Sequence, residues 1–317
     1  MSDQMPDQTR LSRRRALTAA GALGAAAVVG SQLAATPSAY ATPGEALIGP
    51  AKGEWLHAMT FNIRLDLTPG GTQPGQPDHW PDRAPLLVRF LELEKPTILG
   101  VQEAEYQQLA AVREGLGKRY EMLGYGRSGG ANGEYSAIFF DAQRLTPLWW
   151  DQYWLSDTPL VIGSATWGNS VTRIVTWVRF RDERTGRELV HVNTHFDHQS
   201  ENARQRSAEV IRDQVAGLDV PAIVTGDFNS PAETSVGYQT LVGSGLVEDT
   251  WLTAEQQLTP QIGTFPNYGP TVADGPRIDW VLATPDVEVR SAALNAWTYD
   301  GRYPSDHIPV HALVKLA

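Results

Sequence analysis

Apolar and polar positions along the chain alternate between a strand period and a helix period. Residues 55–62 form an apolar run that closes on Thr60-Phe61-Asn62, the pattern of a buried strand with a polar end. Residues 84–94 place Leu86, Leu87, Phe90 and Leu91 at helical spacing, and Pro96 stops them. A short buried strand is predicted at 97–101 and a helix at 105–116, ended by Gly117. Strands are predicted at 120–125, 135–140, 145–155, 173–180 and 188–193, the last two joined by a turn at 183–186. A helix at 201–215, a strand at 221–225 and a short helix at 235–241 follow, then strands at 278–283, 287–296 and 308–316. Residues 65–82 are rich in Gly and Pro and predict a loop. Many strands with interspersed helices predict two packed sheets with helices outside.

The start of the chain reads differently. Ser12-Arg13-Arg14-Arg15-Ala16-Leu17 precedes a Gly/Ala-rich apolar stretch, and Ala39-Tyr40-Ala41 offers a small-x-small cleavage site. This reads as a twin-arginine export signal over 1–41, followed by a linker at 42–54 and one catalytic domain at 55–317. The stretch is too short and too Gly/Ala-rich for a good membrane anchor, so no stable membrane insertion is expected. The expected location is secreted, periplasmic or cell-envelope. The chain has no cysteine, which excludes disulfide frameworks and thiolate metal sites.

Charge narrows the partner. The net charge is −10, and the leader itself is basic, so the remainder is more acidic still. Beyond the leader the only lysines are Lys52, Lys95, Lys118 and Lys315. Bulk nucleic-acid binding wants a basic face. A small phosphorylated substrate, neutralised by a cation and a few arginines, fits better than a long polyanion.

The chemistry is concentrated where apolar runs end. Glu103 follows Ile98-Leu99-Gly100-Val101-Gln102, at a sheet rim where a hard cation such as Mg²⁺ finds oxygen ligands. A helix N-terminal acid is the plainer reading. Asn62 supplies a neutral ligand or orients one. In Gly226-Asp227-Phe228-Asn229 the glycine permits a sharp turn, so Asp227 can orient or deprotonate water while Asn229 donates an amide hydrogen bond. An Asx-type turn is the competing account. His195 closes another strand, and His198 three residues later is a ligand, a loop residue or a rim partner. Asp306-His307 precedes the last strand, with Asp279 the candidate that fixes the His307 tautomer. His57, His191 and His311 lie inside strands and read as structural. The loop after Asn62 should overhang the site and offer Arg64, His79, Trp80 and Arg83 to substrate. Trp149, Trp150, Tyr153 and Trp154 read as strand packing rather than a lipid or base platform.

Taken in order, these words resemble the endonuclease/exonuclease/phosphatase superfamily over about 55–316, in an exported bacterial branch. The resemblance implies a four-layer α/β/β/α sandwich of two mostly antiparallel or mixed sheets, with the site at one sheet edge. It implies Glu103, Asn62 and Asp306 on the metal side, with Mg²⁺ or Mn²⁺ as cofactor. His195, Asp227, Asn229, Asp279 and His307 take the catalytic positions. Tyr135 matches a tyrosine that contacts phosphate. Arg64, Trp80, Arg83 and His198 are left as substrate contacts. The word Thr194-His195-Phe196-Asp197-His198 departs from the Thr-His-Leu of many branches. The expectation is a monomeric, secreted, metal-dependent hydrolase of a small or envelope-derived phosphate ester, a phosphodiesterase or phosphatase, with in-line attack by water. An extracellular nuclease is the alternative, and a non-catalytic binding module on the same fold is the second.

Overall fold

The computed structural model describes residues 44–317; the expected leader and the first residues of the expected linker lie outside them. The strands are β1 (Leu56–Asn62), β2 (Ile98–Gln102), β3 (Tyr120–Leu123), β4 (Ile138–Asp141), β5 (Leu145–Trp154), β6 (Ile174–Asp182), β7 (Glu188–His195), β8 (Ala222–Asp227), β9 (Glu248–Asp249), β10 (Gln256–Gln257), β11 (Asp279–Ala283), β12 (Val287–Leu294) and β13 (Val310–Leu316). The helices are α1 (Trp80–Glu94), α2 (Leu109–Leu116), α3 (Glu201–Ala216), α4 (Val236–Leu241) and α5 (Thr250–Thr253). One mixed sheet runs β10-β12-β13-β1-β2-β4-β3 and the other β5-β6-β7-β8-β11-β9. In each, a parallel pair is joined by a helical crossover: β1–α1–β2 in the first and β7–α3–β8 in the second.

Side-chain parity builds the layers. Along β1, Met59 and Phe61 join a cluster with Leu87, Phe90 and Leu91 of α1, while Leu56 and Ala58 join the core between the sheets. Along β8, Ala222 and Val224 pack with Ala208 and Ile211 of α3, while Ile223 faces the core between the sheets. Period-two alternation therefore sends Asn62 and Asp227, at the ends of these strands, to the intersheet face. The same parity sends His195 and Asp279 there: Asp279 is register partner of Asp227 across β11 and β8, and His195 is partner of Asp227 across β7 and β8.

The intersheet layer is graded. At one end it is apolar, with Ile98, Ile138, Phe140, Phe180 and Val281. Nearer the site it becomes a buried polar plug. Asn193 Nδ2 donates to the carbonyls of Val101 and Ala137, and its Oδ1 accepts from Gln102 Nε2 at 2.7 Å and Thr225 Oγ1 at 3.0 Å. Gln102 Nε2 also reaches Thr60 Oγ1, and His191 Nε2 pairs with Thr225 Oγ1. Gly100 makes room: a Cβ there would collide with Asn193 Oδ1 and Thr225 Oγ1. Gln102 Oε1 and His191 Nδ1 are left without partners, but the bonds that are made specify one alignment.

Several boundaries differ from the sequence pattern. Helix α1 starts at Trp80, earlier than the periodicity indicates, because Pro81 at its first turn presets the backbone and needs no N–H partner. The expected 105–116 helix begins as a single 3₁₀ turn at Tyr106–Gln108. Strand β4 starts at Ile138 rather than 135, and Gly126 N–H bonds to Gly130 in the turn that intervenes. Residues 47–49, expected as linker, are fastened: Glu94 accepts from the N–H groups of Leu47, Ile48 and Gly49, and from Asn295 Nδ2. Beside Glu94, His57 Nδ1 bonds to the Gly49 carbonyl and His57 Nε2 to His311 Nδ1 at 2.8 Å. With its oxygens taken by N–H donors, Glu94 makes this trio a clasp rather than an ion site. Trp154 is buried and its indole donates to the Arg127 carbonyl, as packing requires, but Trp149 and Trp150 lie exposed on edge strand β5.

Candidate active site

Both crossovers deliver their strand ends to one rim, where a cleft of about 440 Å³ opens. Its walls include Arg64, Glu103, Arg127, Glu134, Arg173, His195, His198, Asp227, Asn229, Phe265, Asp306 and His307. Asp227 is the hub. Its Oδ2 accepts from Asn62 Nδ2 at 2.9 Å and faces His195 Nε2 at 3.3 Å and His307 Nε2 at 3.7 Å. Its Oδ1 accepts from the Asn229 N–H at 2.9 Å. Asn229 sits in the left-handed region at φ 47, and Glu103 likewise at φ 60. Each costs on the order of 1 kcal/mol for a non-glycine residue, which the surrounding bonds must offset.

The turn that seats Asn229 aims its amide back at β7. Nδ2 lies 3.0 Å from His195 Nε2 and also donates to the Phe196 carbonyl. Accepting that amide proton leaves His195 Nε2 unprotonated. The ring is kept neutral first by burial and then by the charges of Arg173 and His307, which hold its pKa well below the usual value. His307 is the opposite case. Burial opposes its charged form, but Asp279 and Asp227 outweigh this and raise its pKa to about 10. Asp279 Oδ2 holds His307 Nδ1 at 2.9 Å, fixing the ring with Nε2 toward Asp227. Phe265 covers the imidazole with ring centroids 4.7 Å apart. Burial, then the charge of Asp279, raises the Asp227 pKa to about 7.

Glu103 and Asp306 form a second, all-oxygen side. Glu103 Oε1 accepts from Asn62 Nδ2 at 3.0 Å and Oε2 from the Leu65 N–H at 3.1 Å. Burial would raise the Glu103 pKa, but the Asn62 hydrogen bond and nearby cations bring it below the ordinary carboxylate value. Two carboxylates at a rim fit a hard divalent cation. Of the two roles expected of Asn62, ligand or orienting group, its contacts fit the second. Its amide nitrogen points at Glu103 and Asp227, and its oxygen accepts from the Arg64 N–H, so it aligns the acids. Among the described residues, Glu103/His195/Asp227 and Asp227/Asp279/His307 each bring ligand atoms within 4.8 Å, and Asp306 belongs to neither cluster. Their imidazoles are engaged with Asn229 and Asp279, so the Glu103–Asp306 side is the better cation seat.

Three expected substrate contacts do not reach the cleft. Arg83 is fully buried and donates to the carbonyls of Ile63, Pro304, Arg64 and Leu65, bracing the loop after β1. Trp80 packs beneath it with the guanidinium 5.1 Å from its ring, and His79 binds the Thr72 carbonyl. Loop residues after a strand need not overhang it when a buried arginine folds them back. Tyr135 is also displaced: its hydroxyl donates to the Gly130 carbonyl, in a small recess beside the cleft. Arg64 and His198 do line the cleft.

Three charged residues of the cleft carry no mark in the sequence pattern. Arg127 and Glu134 pair across the Gly-rich turn, with Nη1 2.9 Å from Oε2. Arg173, at the entry of β6, is buried and contacts His198 Nδ1 at 3.0 Å, and its Nε has no hydrogen-bond partner. Its nearest acid, Asp197, is 3.7 Å away. Nothing local in the sequence marks it, since an arginine flanking a strand is ordinary. Among the described residues no helix is long and apolar enough to cross a membrane.

Comparison with solved structures finds close relatives. An endonuclease/exonuclease/phosphatase protein from Bacteroides vulgatus is 32% identical with a TM-score of 0.76, covering 84% of this chain and 100% of the other. A mannosyl-6-phosphatase from Bacteroides thetaiotaomicron is 30% identical with a TM-score of 0.74, covering 82% and 99%. The human Nocturnin catalytic domain shares the fold at 18% identity and a TM-score of 0.62, covering 83% and 94%. No curated protein sequence matches. The model of the Endonuclease/Exonuclease/phosphatase family matches residues 59–307. The two-sheet sandwich, the rim of acids and imidazoles and this match agree: the chain belongs to the endonuclease/exonuclease/phosphatase family.

Proposed function

We propose that the protein is an exported, divalent-metal-dependent hydrolase that removes phosphate from a small phosphorylated substrate of the sugar-phosphate class. The observation that carries this reading is the relay Asp279–His307–Asp227, in which a charged imidazole faces a carboxylate across 3.7 Å at the floor of the cleft. Asp227 takes the proton of the attacking water, since its pKa of about 7 suits a base working near neutrality. His307 presents its Nε2 donor to a non-bridging oxygen, and Asn229, whose two amide protons go to His195 and Phe196, steadies Asp227 through its backbone N–H. His195 steers Asn229. Arg173 and Arg127, the latter paired with Glu134, line the same cleft and add positive charge to it. Glu103 and Asp306 would hold the divalent cation, Mg²⁺ or Mn²⁺, which supplies charge neutralisation at the phosphoryl group.

The sugar-phosphate class is supported by the 30% identical mannosyl-6-phosphatase and by the acidic chain, which disfavours long polyanions. The test is turnover by residues 42–317 with Mg²⁺ or Mn²⁺ on sugar phosphates, p-nitrophenyl phosphate, bis(p-nitrophenyl) phosphate, sphingomyelin and plasmid DNA. Turnover of the monoesters, lost with chelator and in His307→Ala, is expected. Preference for plasmid would establish the nuclease instead. Silence on every substrate together with no metal binding would favour the binding module.

A further inference from the structure

Arg64 occupies the place on the acidic side where a cation is required. Its backbone lies in the left-handed region at φ 58, directly after the strand end that carries Asn62. The guanidinium is ringed by three carboxylates. Nε is 3.2 Å from Asp78 Oδ1 and 3.4 Å from Asp306 Oδ2, and Nη1 is 3.7 Å from Glu103 Oε2. These contacts are unequal. The one to Asp78 is a hydrogen bond, and Asp78 is held in turn by Tyr268 Oη at 2.9 Å. Those to Glu103 and Asp306 are long ion pairs with no hydrogen bond. The arginine is thus anchored on Asp78 and only electrostatically attached to the two acids of the cation seat.

Two cations cannot share that seat. Mg²⁺ binds carboxylate oxygens at about 2.0–2.1 Å, closer than the 3.4 and 3.7 Å at which the guanidinium stands from Asp306 and Glu103, and it repels the arginine's charge. We propose that Arg64 is a resident counter-cation: it neutralises Glu103 and Asp306 before a divalent ion binds, yields them to the ion, and turns about its Asp78 anchor to take a phosphoryl oxygen of the substrate. The inference rests on the assignment of Glu103 and Asp306 to the metal. It makes cation loading weaker than the acids alone would give, and it couples loading to anion binding.

The test uses Mn²⁺ alone, titrated calorimetrically into the full chain without substrate, together with thermal melts. Arg64→Gln should bind Mn²⁺ about tenfold more tightly, the scale of one or two partly exposed ion pairs. It should also melt lower without metal and show a larger Mn²⁺-induced rise. Arg64→Lys, which keeps a charge but not the fork, should fall between it and the wild type. With Mn²⁺ saturating, inorganic phosphate should bind Arg64→Gln about tenfold more weakly. Mn²⁺ affinity unchanged or reduced in a folded Arg64→Gln would overturn the counter-cation, and unchanged phosphate affinity would overturn the second half. Glu103→Gln separates the two readings: if it binds Mn²⁺ as the wild type does, the metal assignment itself fails, whatever Arg64 does.

Discussion

His307 is held by Asp279 through a 2.9 Å contact to Nδ1, on the side of the ring away from the cleft hub. The pairing decides both the tautomer and the charge of the imidazole. Burial alone would neutralise the ring, and the Asp279 carboxylate is the largest of the influences that reverse this. Asp279→Asn should therefore leave the fold intact and lower turnover on the order of 10²–10³-fold, the scale of losing a positioned acid–base partner. The His307 pKa, followed by NMR, should fall from its raised value at the same time. Full activity with an unchanged titration would remove Asp279 from the relay.

Asn62 ties the two sheets together at the site, with one amide nitrogen shared by Glu103 and Asp227. Asn62→Ala should leave two buried carboxylates without their common donor. Unfolding in urea should show a loss of about 1–3 kcal/mol, the penalty for unsatisfied buried polar groups. Activity should fall further than that loss of stability accounts for, because the acids no longer hold their relative positions.

Arg173 is buried on the cleft wall, and its Nε makes no hydrogen bond, only a long 3.7 Å ion pair with Asp197. A buried cation left short of acceptors fits an anionic ligand. Arg173→Gln should raise KM for a phosphomonoester roughly tenfold or more, in keeping with a lost charge-assisted bond. The corresponding change at Arg179, which faces Asp219 and Glu188 on the far part of β6, should leave KM where it was.

Away from the site, two buried histidines set an acid limit on stability. Burial lowers the pKa of both His191 and His311 to about 3. Unfolding lets each return to about 6.5, so the unfolded chain binds more protons between these values. Stability is full above pH 6.5 and is lost progressively as pH falls toward 3, by about 1.4 kcal/mol per pH unit for each ring. His57, whose pKa burial also lowers, adds in the same direction. Melting temperatures from pH 7.5 to 4.5 should show this slope, and His311→Gln should make it shallower. A flat profile in the wild type would mean these rings are solvated.

Much of this architecture is written in local pattern. The apolar runs at residues 55–62 and 221–225 identify buried strands, and once the layers are known, parity fixes which way Asn62 and Asp227 face. The order of polar words at strand ends points to one rim, because a parallel pair with a helical crossover brings its strand ends to the same side. What is not legible depends on long-range placement. Arg83 looks like a substrate contact until it is found beneath its own loop, bonded to Pro304 from the other end of the chain. Arg173 and Arg127 look like surface charges until β6 and the Gly-rich turn are set against His198 and Glu134. Tyr135 has the right neighbours in sequence, but its hydroxyl is directed by the turn at Gly130. No period or propensity carries that information.

The polar plug around Asn193 has a further consequence. Apolar contact between two sheets is non-directional, so it favours close packing without naming which polar groups must meet. The groups proposed for the reaction are divided across that boundary, with Asn62 and Glu103 on one sheet's rim and His195, Asp227 and Asp279 on the other's. Hydrogen bonds from Asn193 to the carbonyls of Val101 and Ala137, and from Gln102 to Asn193, act as a detent: they exist at one offset and vanish at the next. The alignment of the cleft is therefore set some distance behind it, by groups that do not line it.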